Sequence, residues 1–268
     1  MVLLFPMRVV NLSSGSDGNL TYIESGASKI LVDAGLSCKE IELRLSLLNI
    51  KGSEIDGILV THEHSDHIKG IDVFASKFKT KVFCHVDGAE AVLKKLFRVD
   101  KSQIVSITSA PFEIKDLTIS AFKVPHDSVC CVGYSFQENE KKVSILTDLG
   151  VATDKILENV YGSQLVFLEA NHDVKMLQNN INYPASLKQR ILSNRGHLSN
   201  FASGFAIAKL AKTGTKRVVL SHLSKENNNP LLAVETVKAI LQENGIVVGE
   251  GIEVDVASTM PGKIYKIS

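Results

Sequence analysis

The sequence predicts an α/β fold in which two β-sheets pack against each other and helices cover their outer faces. Three observations predict this fold: the first third of the chain alternates short apolar strands with helices, the middle is rich in strands, and the last part alternates again. Two such halves bury their apolar faces when the sheets pack together with the helices outside. The chain shows no repeat, low-complexity segment or linker, so residues 1–268 are expected to form a single domain.

The first third supplies strands and then helices. Short apolar or β-branched runs broken by Gly, Ser and Asn predict strands at residues 9–12, 21–24 and 29–32. Ile41, Leu45 and Leu48 recur at helical spacing and predict a helix over residues 37–48. The same signals then predict, in order, a strand at 55–60, a helix at 68–78, a strand at 82–84 and a helix at 88–97.

The middle of the chain is β-rich and the last part alternates. Strand signals punctuated by Pro and Gly lie at residues 104–107, 117–124, 132–136 and 142–147. The elements predicted after them are a strand at 165–168, helices at 187–192 and 201–211, a strand at 217–221, a helix at 231–241, and strands at 252–256 and 263–267.

Composition and charge exclude several classes of protein. Apolar residues make up 44% of the chain and charged residues 22%, as in a soluble globular protein. The net charge is only +1, so binding of nucleic acid would need a local basic face. The start of the chain lacks the features of a signal peptide, and no apolar stretch approaches the ~20 residues of a membrane span. The four cysteines lack C-x-x-C spacing, which predicts reduced thiols in a cytoplasmic protein.

The segment 62–67 reads His-Glu-His-Ser-Asp-His, one residue past the apolar run 58–60. In an extended segment His62 and His64 point the same way, and a turn after them would let Asp66 and His67 face a second ion. Imidazole and carboxylate groups bind Zn, Fe and related ions. A His-rich surface turn is the alternative, but it explains poorly why four potential ligands lie within six residues.

Three further candidate ligands follow predicted strands. His126 comes after the strand at 117–124, Asp148 after residues 143–146, and His222 after residues 217–220. Loops beyond strand ends often carry functional groups on a rigid scaffold. Each residue alone could make an ordinary hydrogen bond at a strand end, but together with the first motif we predict that they are ligands.

These motifs, with Asp33 in Leu-Val-Asp-Ala-Gly, occur in the order expected for the metallo-β-lactamase superfamily, which the chain resembles over nearly its whole length. The resemblance implies a four-layer αββα sandwich with two divalent metal ions at one edge. Zn²⁺ is the expected metal, and Mn²⁺ or Fe²⁺ also suits the ligands. Asp33 would steady the orientation of a ligand.

The resemblance also assigns each candidate ligand to an ion. The ligands of the first ion would all be imidazoles: His62, His64 and His126. The ligands of the second ion would be mixed: Asp66, His67 and His222. Asp148 would bridge the two ions.

Four details narrow the resemblance to one branch of the superfamily. His64 stands where the di-iron redox members carry an acidic residue, which favours hydrolysis over redox chemistry. His67 and Asp148 are both present, whereas true β-lactamases usually differ by an Arg or a Cys, which argues against an antibiotic-hydrolysing enzyme. The interval from Asp148 to His222 is too short for the extra domain of RNase J-type and CPSF-type nucleases. Segments 168–173, 196–200 and 222–228 resemble the YycJ/WalJ branch, compact bacterial proteins regarded as DNA exonucleases and similar to tRNase Z. The resemblance therefore implies a nucleic-acid substrate, DNA.

The implied reaction is hydrolysis of a phosphodiester. Two metal ions about 3.5–4 Å apart would hold a hydroxide between them and lower its pKa toward neutrality. His197, oriented by Glu169, is the candidate donor of a proton to the leaving oxygen. His172 is the alternative donor, and His197 could instead only cap the helix that follows it. Asp66 is expected to act both as a metal ligand and as a catalytic residue.

A second group of residues is predicted to bind the substrate. The helix that starts near Ser199 and Asn200 would offer unpaired N–H groups to a phosphate. The basic residues around it could follow a nucleic-acid backbone, and Tyr183 could stack on a base. These basic residues are Lys188, Arg190, Arg195 and Lys225. An ordinary solvated helix face explains the same residues equally well.

The leading hypothesis is a metal-dependent phosphodiesterase that acts as a DNA exonuclease. A small-molecule hydrolase of the same fold, splitting a thioester or lactone, would instead have an apolar or glutathione-sized pocket and no need of the basic residues. A non-catalytic, regulatory metal-binding protein would be expected to lack one or more ligands. The polarity of cleavage and the oligomeric state stay open.

Overall fold

Residues 6–268, described by a computed structural model, contain two mixed β-sheets of seven strands each. The strands of the first sheet are β1 (Met7–Ser13), β2 (Leu20–Glu24), β3 (Lys29–Val32), β4 (Gly57–Val60), β5 (Lys81–His85), β6 (Ile104–Ile107) and β14 (Ile264–Ile267). Their order across the sheet is β14-β1-β2-β3-β4-β5-β6. Pairing is antiparallel from β14 to β3 and parallel from β3 to β6.

The second sheet has the same plan. Its strands are β7 (Phe112–Ile114), β8 (Leu117–Val124), β9 (Cys131–Glu138), β10 (Lys141–Leu146), β11 (Leu165–Glu169), β12 (Arg217–Ser221) and β13 (Glu253–Val256). Their order is β13-β12-β11-β10-β9-β8-β7. The pairs from β10 to β13 are parallel and the pairs from β7 to β10 are antiparallel.

Helices cover the outer face of each sheet. Those of the first half are α1 (Cys38–Ser46), α2 (Ser65–Ile68), α3 (Ile71–Phe78) and α4 (Val86–Leu93). Those of the second half are α5 (Asp154–Glu158), α6 (Val174–Asn179), α7 (Ala185–Leu192), α8 (Asn200–Ala211) and α9 (Pro230–Glu243). Five of these helices start after a side chain that accepts a hydrogen bond from the backbone N–H three residues on, a common N-terminal cap. The capping residues are Ser37, Thr153, Asp173, Ser199 and Asn229.

Three apolar cores separate the layers. The core between the sheets takes residues from both, including Leu59 from β4 and Phe167 from β11. Val9 and Val10 of β1 are both fully buried but face different cores, because side chains alternate along a strand. The outer cores join α1, α3 and α4 to the first sheet and α5, α8 and α9 to the second. The predicted four-layer αββα sandwich is confirmed.

Some predicted elements differ from those in the structure. The helix predicted over 68–78 is split into α2 and α3 at Gly70, where the chain packs against the loop after β3. The Gly70 N–H donates to Ala34 O at 2.8 Å, and a Cβ at Gly70 would lie 2.1 Å from Leu36 O. The helix predicted over 88–97 starts and ends earlier, as α4. The strand β7 and the short helices α5 and α6 were not predicted, since three to six residues carry little periodicity.

Among residues 6–268, no helix is long and apolar enough to cross a membrane. Residues 1–5, which belong to the start that lacks signal-peptide features, lie outside the described residues. The four cysteines are buried free thiols, and Cys131 Sγ lies 3.7 Å from His62 Nδ1.

Two hydrogen bonds fix the end of β4 against the second sheet. The Tyr134 hydroxyl of β9 donates to Val60 O at 2.7 Å, and Val132 N donates to Thr61 O at 3.1 Å. The first motif begins at the next residue, His62. Its starting position is therefore set by both sheets.

Candidate metal centre

The segment 62–67 changes from extended to helical within the motif. His64 has φ −65° and ψ 149° and is the last extended residue before α2. Asp66 and His67 lie in the first turn of that helix, and the His67 ring lies beside the His62 ring, with their centroids 4.1 Å apart. The turn that the spacing predicted is present.

Three imidazoles form the first ligand group. The ligand nitrogens of His62, His64 and His126 lie within 4.8 Å of one another. The His126 Nδ1–H donates to Gly196 O at 3.1 Å, which leaves its Nε2 without a protein partner. His62 Nε2 is also buried and unpartnered. Burial lowers the pKa of His62 well below its usual value, which favours the neutral imidazole that binds metal.

Asp66, His67 and His222 form the second group, and their ligand atoms again lie within 4.8 Å of one another. The His67 Nδ1–H donates to Asp33 Oδ2 at 2.7 Å, so Asp33 orients this ring. His222 Nε2 has no protein partner and lies 3.7 Å from Asp66 Oδ2. The arrangement presents one carboxylate oxygen and two imidazole nitrogens to a common point.

Asp148 lies between the two groups. Its Oδ1 is 3.9 Å from His126 Nε2 in the first group, and its Oδ2 is 3.4 Å from His67 Nε2 in the second. The side chain is almost fully buried, and Oδ2 accepts no hydrogen bond from the protein. Its Oδ1 also lies 3.2 Å from His222 Nδ1, so the carboxylate contacts residues of both groups and is suited to bridge two ions.

The backbone is strained at three of these positions. Asp33, Asp148 and His222 have φ of 59°, 59° and 56°, the left-handed region that non-glycine residues rarely adopt. Such conformations cost about 1–3 kcal/mol each and occur where the surrounding structure enforces them. Three such positions therefore lie together at this edge of the sandwich, among the candidate ligands and the residue that orients one of them.

The donor atoms fit divalent metal ions. Each unpartnered buried polar atom costs about 1–3 kcal/mol, so four that converge on one site require a common partner. These atoms are His62 Nε2, His126 Nε2, His222 Nε2 and Asp148 Oδ2. Nitrogen and carboxylate oxygen donors at such spacing are those of Zn²⁺, Mn²⁺ and Fe²⁺ sites.

Glu169 connects this centre to the candidate proton donor. Its Oε1 accepts from His197 Nδ1 at 2.7 Å and from His222 Nδ1 at 2.9 Å. Its Oε2 accepts from the N–H groups of Leu149 and Leu198. Burial works to raise the pKa of Glu169, but His197 and His222 hold it below the usual range. The contact with His197 was predicted, whereas the contact with His222 was not, and the sequence carries no signal for it.

His197 and His172 occupy different environments. His197 lines the cleft over the metal centre, and Glu169 raises its pKa even though burial works in the opposite direction. His172 is 1% exposed, does not line the cleft, and has a pKa lowered to about 4 by burial. The geometry therefore favours His197 over His172 as the group that reaches a substrate.

A smaller ligand cluster lies outside the site. The ligand atoms of His85, Asp87 and Cys130 lie within 4.8 Å of one another. Asp87 is paired with the Lys123 ammonium, whose charge disfavours a cation there. His85 Nδ1 accepts from Asp87 N at 3.3 Å and caps α4.

The basic residues predicted to bind substrate have partners within the protein. Arg190 pairs with Asp127, and Lys225 pairs with Asp17. Arg195 Nε donates to His126 O at 3.0 Å. Arg190 alone of these three lines the cleft. Their binding of substrate stays a prediction.

The start of α8 is also largely occupied. Ser199 Oγ accepts from Ala202 N, and Asn200 N donates to His172 O at 2.9 Å. The Asn200 side chain is 1% exposed and pairs with Asn228. These contacts leave few N–H groups of this helix end for a phosphate, and substrate binding by Ser199 and Asn200 also stays a prediction.

A cleft of about 310 Å³ opens over the metal centre. One wall carries the candidate ligands and His197, and the other carries Tyr183 with Leu187, Arg190 and Ile191 of α7. Asp127 also lines the cleft, with its Oδ1 3.2 Å from His126 Nε2. Asp127 was missed in the sequence, although its position next to His126 could have indicated it.

The fold and this centre define a class of protein. The family model described as "Beta-lactamase superfamily domain" matches residues 28–223. The chain is therefore a metal-dependent hydrolase of the metallo-β-lactamase superfamily. The metallo-β-lactamase fold protein YhfI from Bacillus subtilis shares this fold, with a TM-score of 0.72 at 19% identity, covering 98% of this chain and 99% of that one.

Two relatives define the branch. Exodeoxyribonuclease YycJ of Bacillus anthracis is 38% identical over 259 residues, which span 96% of this chain and 97% of that protein. Exodeoxyribonuclease WalJ of Streptococcus pneumoniae serotype 2 is 39% identical over 253 residues, 93% of each protein. The chain belongs to the YycJ/WalJ family, and the resemblance inferred from the motifs is confirmed.

Proposed function

We propose that this protein is a two-metal phosphodiesterase that removes nucleotides from the ends of DNA. The observation that carries the proposal is Asp148, which lies between two ligand groups beside the His197–Glu169 pair. The names of YycJ and WalJ, which share more than a third of their residues with this chain, support DNA as the substrate. The proposed working unit is one domain over residues 1–268, and the four free thiols support a cytoplasmic location.

In this proposal each ligand group holds one ion. His62, His64 and His126 would hold the first ion, and Asp66, His67 and His222 the second. Asp148 would bridge them. Zn²⁺ suits this set, and Mn²⁺ or Fe²⁺ would also be accepted. When bound, two such ions lower the pKa of a water toward neutrality and neutralise charge on a phosphodiester.

The side chains around the ions orient the reactants. Asp66 lines the cleft and belongs to the second group, so it can also accept a hydrogen bond from the attacking water. Glu169 holds Nδ1 of His197, which leaves Nε2 of that ring to donate a proton to the leaving oxygen. Because Glu169 also holds His222, one buried carboxylate positions both a metal ligand and the proton donor.

The cleft supports action at a chain end and not on a small apolar ester. Its volume of about 310 Å³ is at the low end for ligand pockets, and α7 closes one side. Polar residues dominate its lining, unlike the apolar or glutathione-sized pocket expected for a thioester or lactone hydrolase. The complete ligand set argues against a purely regulatory metal-binding role.

The test is nuclease activity on end-labelled duplex, single-stranded and circular DNA with Zn²⁺ or Mn²⁺. Asp148→Asn is the informative variant, because Asn tolerates the left-handed backbone and replaces one carboxylate oxygen with an NH₂ group that cannot bind a metal. Asp154→Asn, an exposed carboxylate elsewhere, is the matched control. We expect loss of label from linear DNA by wild type and the control only, with the circle spared. Failure of the metal-loaded wild type to cleave any DNA would refute the proposal.

A further inference from the structure

The loop after α4 presents an aromatic side chain to solvent. Phe97 is 85% exposed, the largest exposed fraction of any Phe or Tyr among residues 6–268. Its neighbours Leu96 and Val99 pack against the outer core of the first sheet. The loop therefore buries the apolar residues on either side and turns Phe97 outward.

This exposed conformation is fixed by hydrogen bonds. Asp72 Oδ1 accepts from the backbone N–H groups of Phe97 at 2.7 Å, Arg98 at 2.7 Å and Val99 at 3.3 Å. One carboxylate oxygen thus holds three successive residues. A backbone held in this way need not be ordered when a flat partner stacks on the ring, which favours binding.

The loop is tied to the metal centre. Lys95 Nζ donates to the backbone oxygen of Glu63 at 2.8 Å, and Glu63 stands between the candidate ligands His62 and His64. The Cα of Phe97 lies within about 8 Å of the Cα of Lys95, because consecutive Cα atoms are 3.8 Å apart. The Phe97 loop is therefore anchored to the backbone of the first motif, and Phe97 itself does not line the cleft.

Two exposed cations neighbour these residues in the chain: Arg98 follows Phe97, and Lys69 lies three residues before Asp72, which binds the loop. Lys69, at the end of α2, and Arg98 are exposed, and neither forms an ion pair within the described part of the chain. They differ in this respect from Arg190 and Lys225, whose charges are already paired. Unpaired cations around an exposed aromatic ring are the combination that binds single-stranded nucleic acid, with phosphates on the cations and a base on the ring.

From these observations we propose that Lys69, Lys95, Phe97 and Arg98, the Phe97 platform, bind a single strand of DNA next to the cleft. A base stacks on Phe97 while the strand's phosphates lie near Lys69 and Arg98. This inference rests on the proposed nuclease function and adds how a DNA end is distinguished from a small phosphodiester. It also predicts a preference for frayed or overhanging ends, because a base must be unpaired to stack on the ring.

The test compares two substrates in the metal-loaded, full-length protein. Bis(p-nitrophenyl) phosphate reports on the cleft alone, whereas a single-stranded oligonucleotide can also reach the Phe97 platform. We expect Phe97→Ala to lower the ratio of kcat/KM on DNA to kcat/KM on the small diester by about tenfold or more, in line with loss of one stacked base. Phe97→Tyr should keep the ratio. Leu47→Ala, which removes another exposed apolar side chain, should match wild type.

Salt dependence gives a second readout. Arg98→Ala should reduce the slope of log affinity for the oligonucleotide against log salt by about 0.7, the value for one phosphate contact in a single strand. If Phe97→Ala still cleaved DNA and had the same ratio of kcat/KM on DNA to kcat/KM on the small diester as Leu47→Ala, the Phe97 platform would be overturned. The proposed nuclease function would not be affected. A wild type that hydrolyses the small diester but neither binds nor cleaves DNA would overturn both the platform and the proposed function.

Discussion

Asp33 Oδ2 accepts a hydrogen bond from His67 Nδ1 at 2.7 Å, and both side chains are almost completely buried. Asp33 Oδ1 also accepts from the backbone N–H of Thr61 at 2.8 Å. One carboxylate therefore fixes the residue before the motif and the last histidine within it. Without Asp33 the His67 ring would be free to turn its Nε2 away from Asp66 and Asp148.

Replacing Asp33 should weaken metal binding. We expect Asp33→Asn to reduce metal affinity by about 10- to 100-fold, the usual effect of losing a group that orients a ligand. Asn accepts the same left-handed backbone, but it leaves one oxygen to accept bonds now divided between Oδ1 and Oδ2, so the change removes the charge and one acceptor. Competition with a chelating dye measures the affinity. The control is Asn139→Asp, the reverse exchange at another position with a left-handed backbone. An unchanged metal affinity in Asp33→Asn would refute the role of Asp33 in orienting His67.

Removal of the metal should destabilise the fold. The candidate ligands come from both sheets, and binding to the folded state alone adds about 2.7 kcal/mol when free metal is 100 times Kd. For a chain of this size that corresponds to a fall in Tm of about 5–10 °C on chelation. Calorimetry with and without chelator measures it. The fall in Tm on chelation should be smaller in Asp148→Asn than in the wild type. Equal Tm values with and without chelator in the wild type would contradict metal binding at these residues.

The leaving group should determine how much His197 matters. If His197 donates the proton, His197→Ala should lower kcat on DNA by about 10²–10⁴-fold. The loss should be much smaller on bis(p-nitrophenyl) phosphate, whose p-nitrophenolate leaves without a proton. Steady-state kinetics on both substrates provides the measurement. His172→Ala should show no such difference, and equal losses on both substrates in His197→Ala would rule out proton donation.

Asp116 should make part of the stability dependent on pH. It joins the β2–β3 turn to the β7–β8 turn, accepting from Ser25 Oγ and Ser28 Oγ at 2.6 Å each. Burial works to raise the pKa of Asp116, but these bonds lower it below the usual value. The folded-state pKa is then below that of the unfolded chain, about 3.9. The stabilisation is present above about pH 4 and is lost as the pH falls through the folded-state pKa.

Asp116→Asn tests this contribution. Because Asp116 is exposed, we expect a loss of only about 1 kcal/mol at pH 7, and a smaller difference from wild type near pH 3. Urea unfolding at both pH values measures it. Ser28→Ala removes one of the donors and should reduce the same pH dependence. If the difference in unfolding free energy between wild type and Asp116→Asn grew as the pH fell, the predicted direction of the pH dependence would be wrong.

The positions of the candidate ligands were accessible from the sequence because each follows an apolar strand. His62, Asp148 and His222 come directly after or within two residues of β4, β10 and β12. β10 and β12 run parallel in the second sheet, so residues just past their ends lie at a common edge. β4 belongs to the first sheet, and the bonds from Tyr134 and Val132 hold its end against the second sheet. Strand ends therefore indicated Asp148 and His222, whereas the spacing of the first motif indicated His62.

Contacts between distant residues could not be predicted in the same way. Glu169 was connected to His197 by resemblance, but its bond to His222, 53 residues away, follows from how β11 pairs with β12. The pairing of Arg190 with Asp127 likewise depends on where α7 packs. Charge in the sequence indicates which residues could bind phosphate, but only tertiary structure shows which charges are already neutralised.

The pairing of β1 with β14 has a consequence for how the chain is made. Met7 lies opposite Ile267, so the outer edge of β1 receives its partner only when the last strand of the sheet has been synthesised. At about 5–20 residues per second, β1 waits roughly 10–50 s with that edge unpaired. An open strand edge invites pairing with other chains. The edge of β1 is therefore open to such pairing in the newborn protein until β14 becomes available.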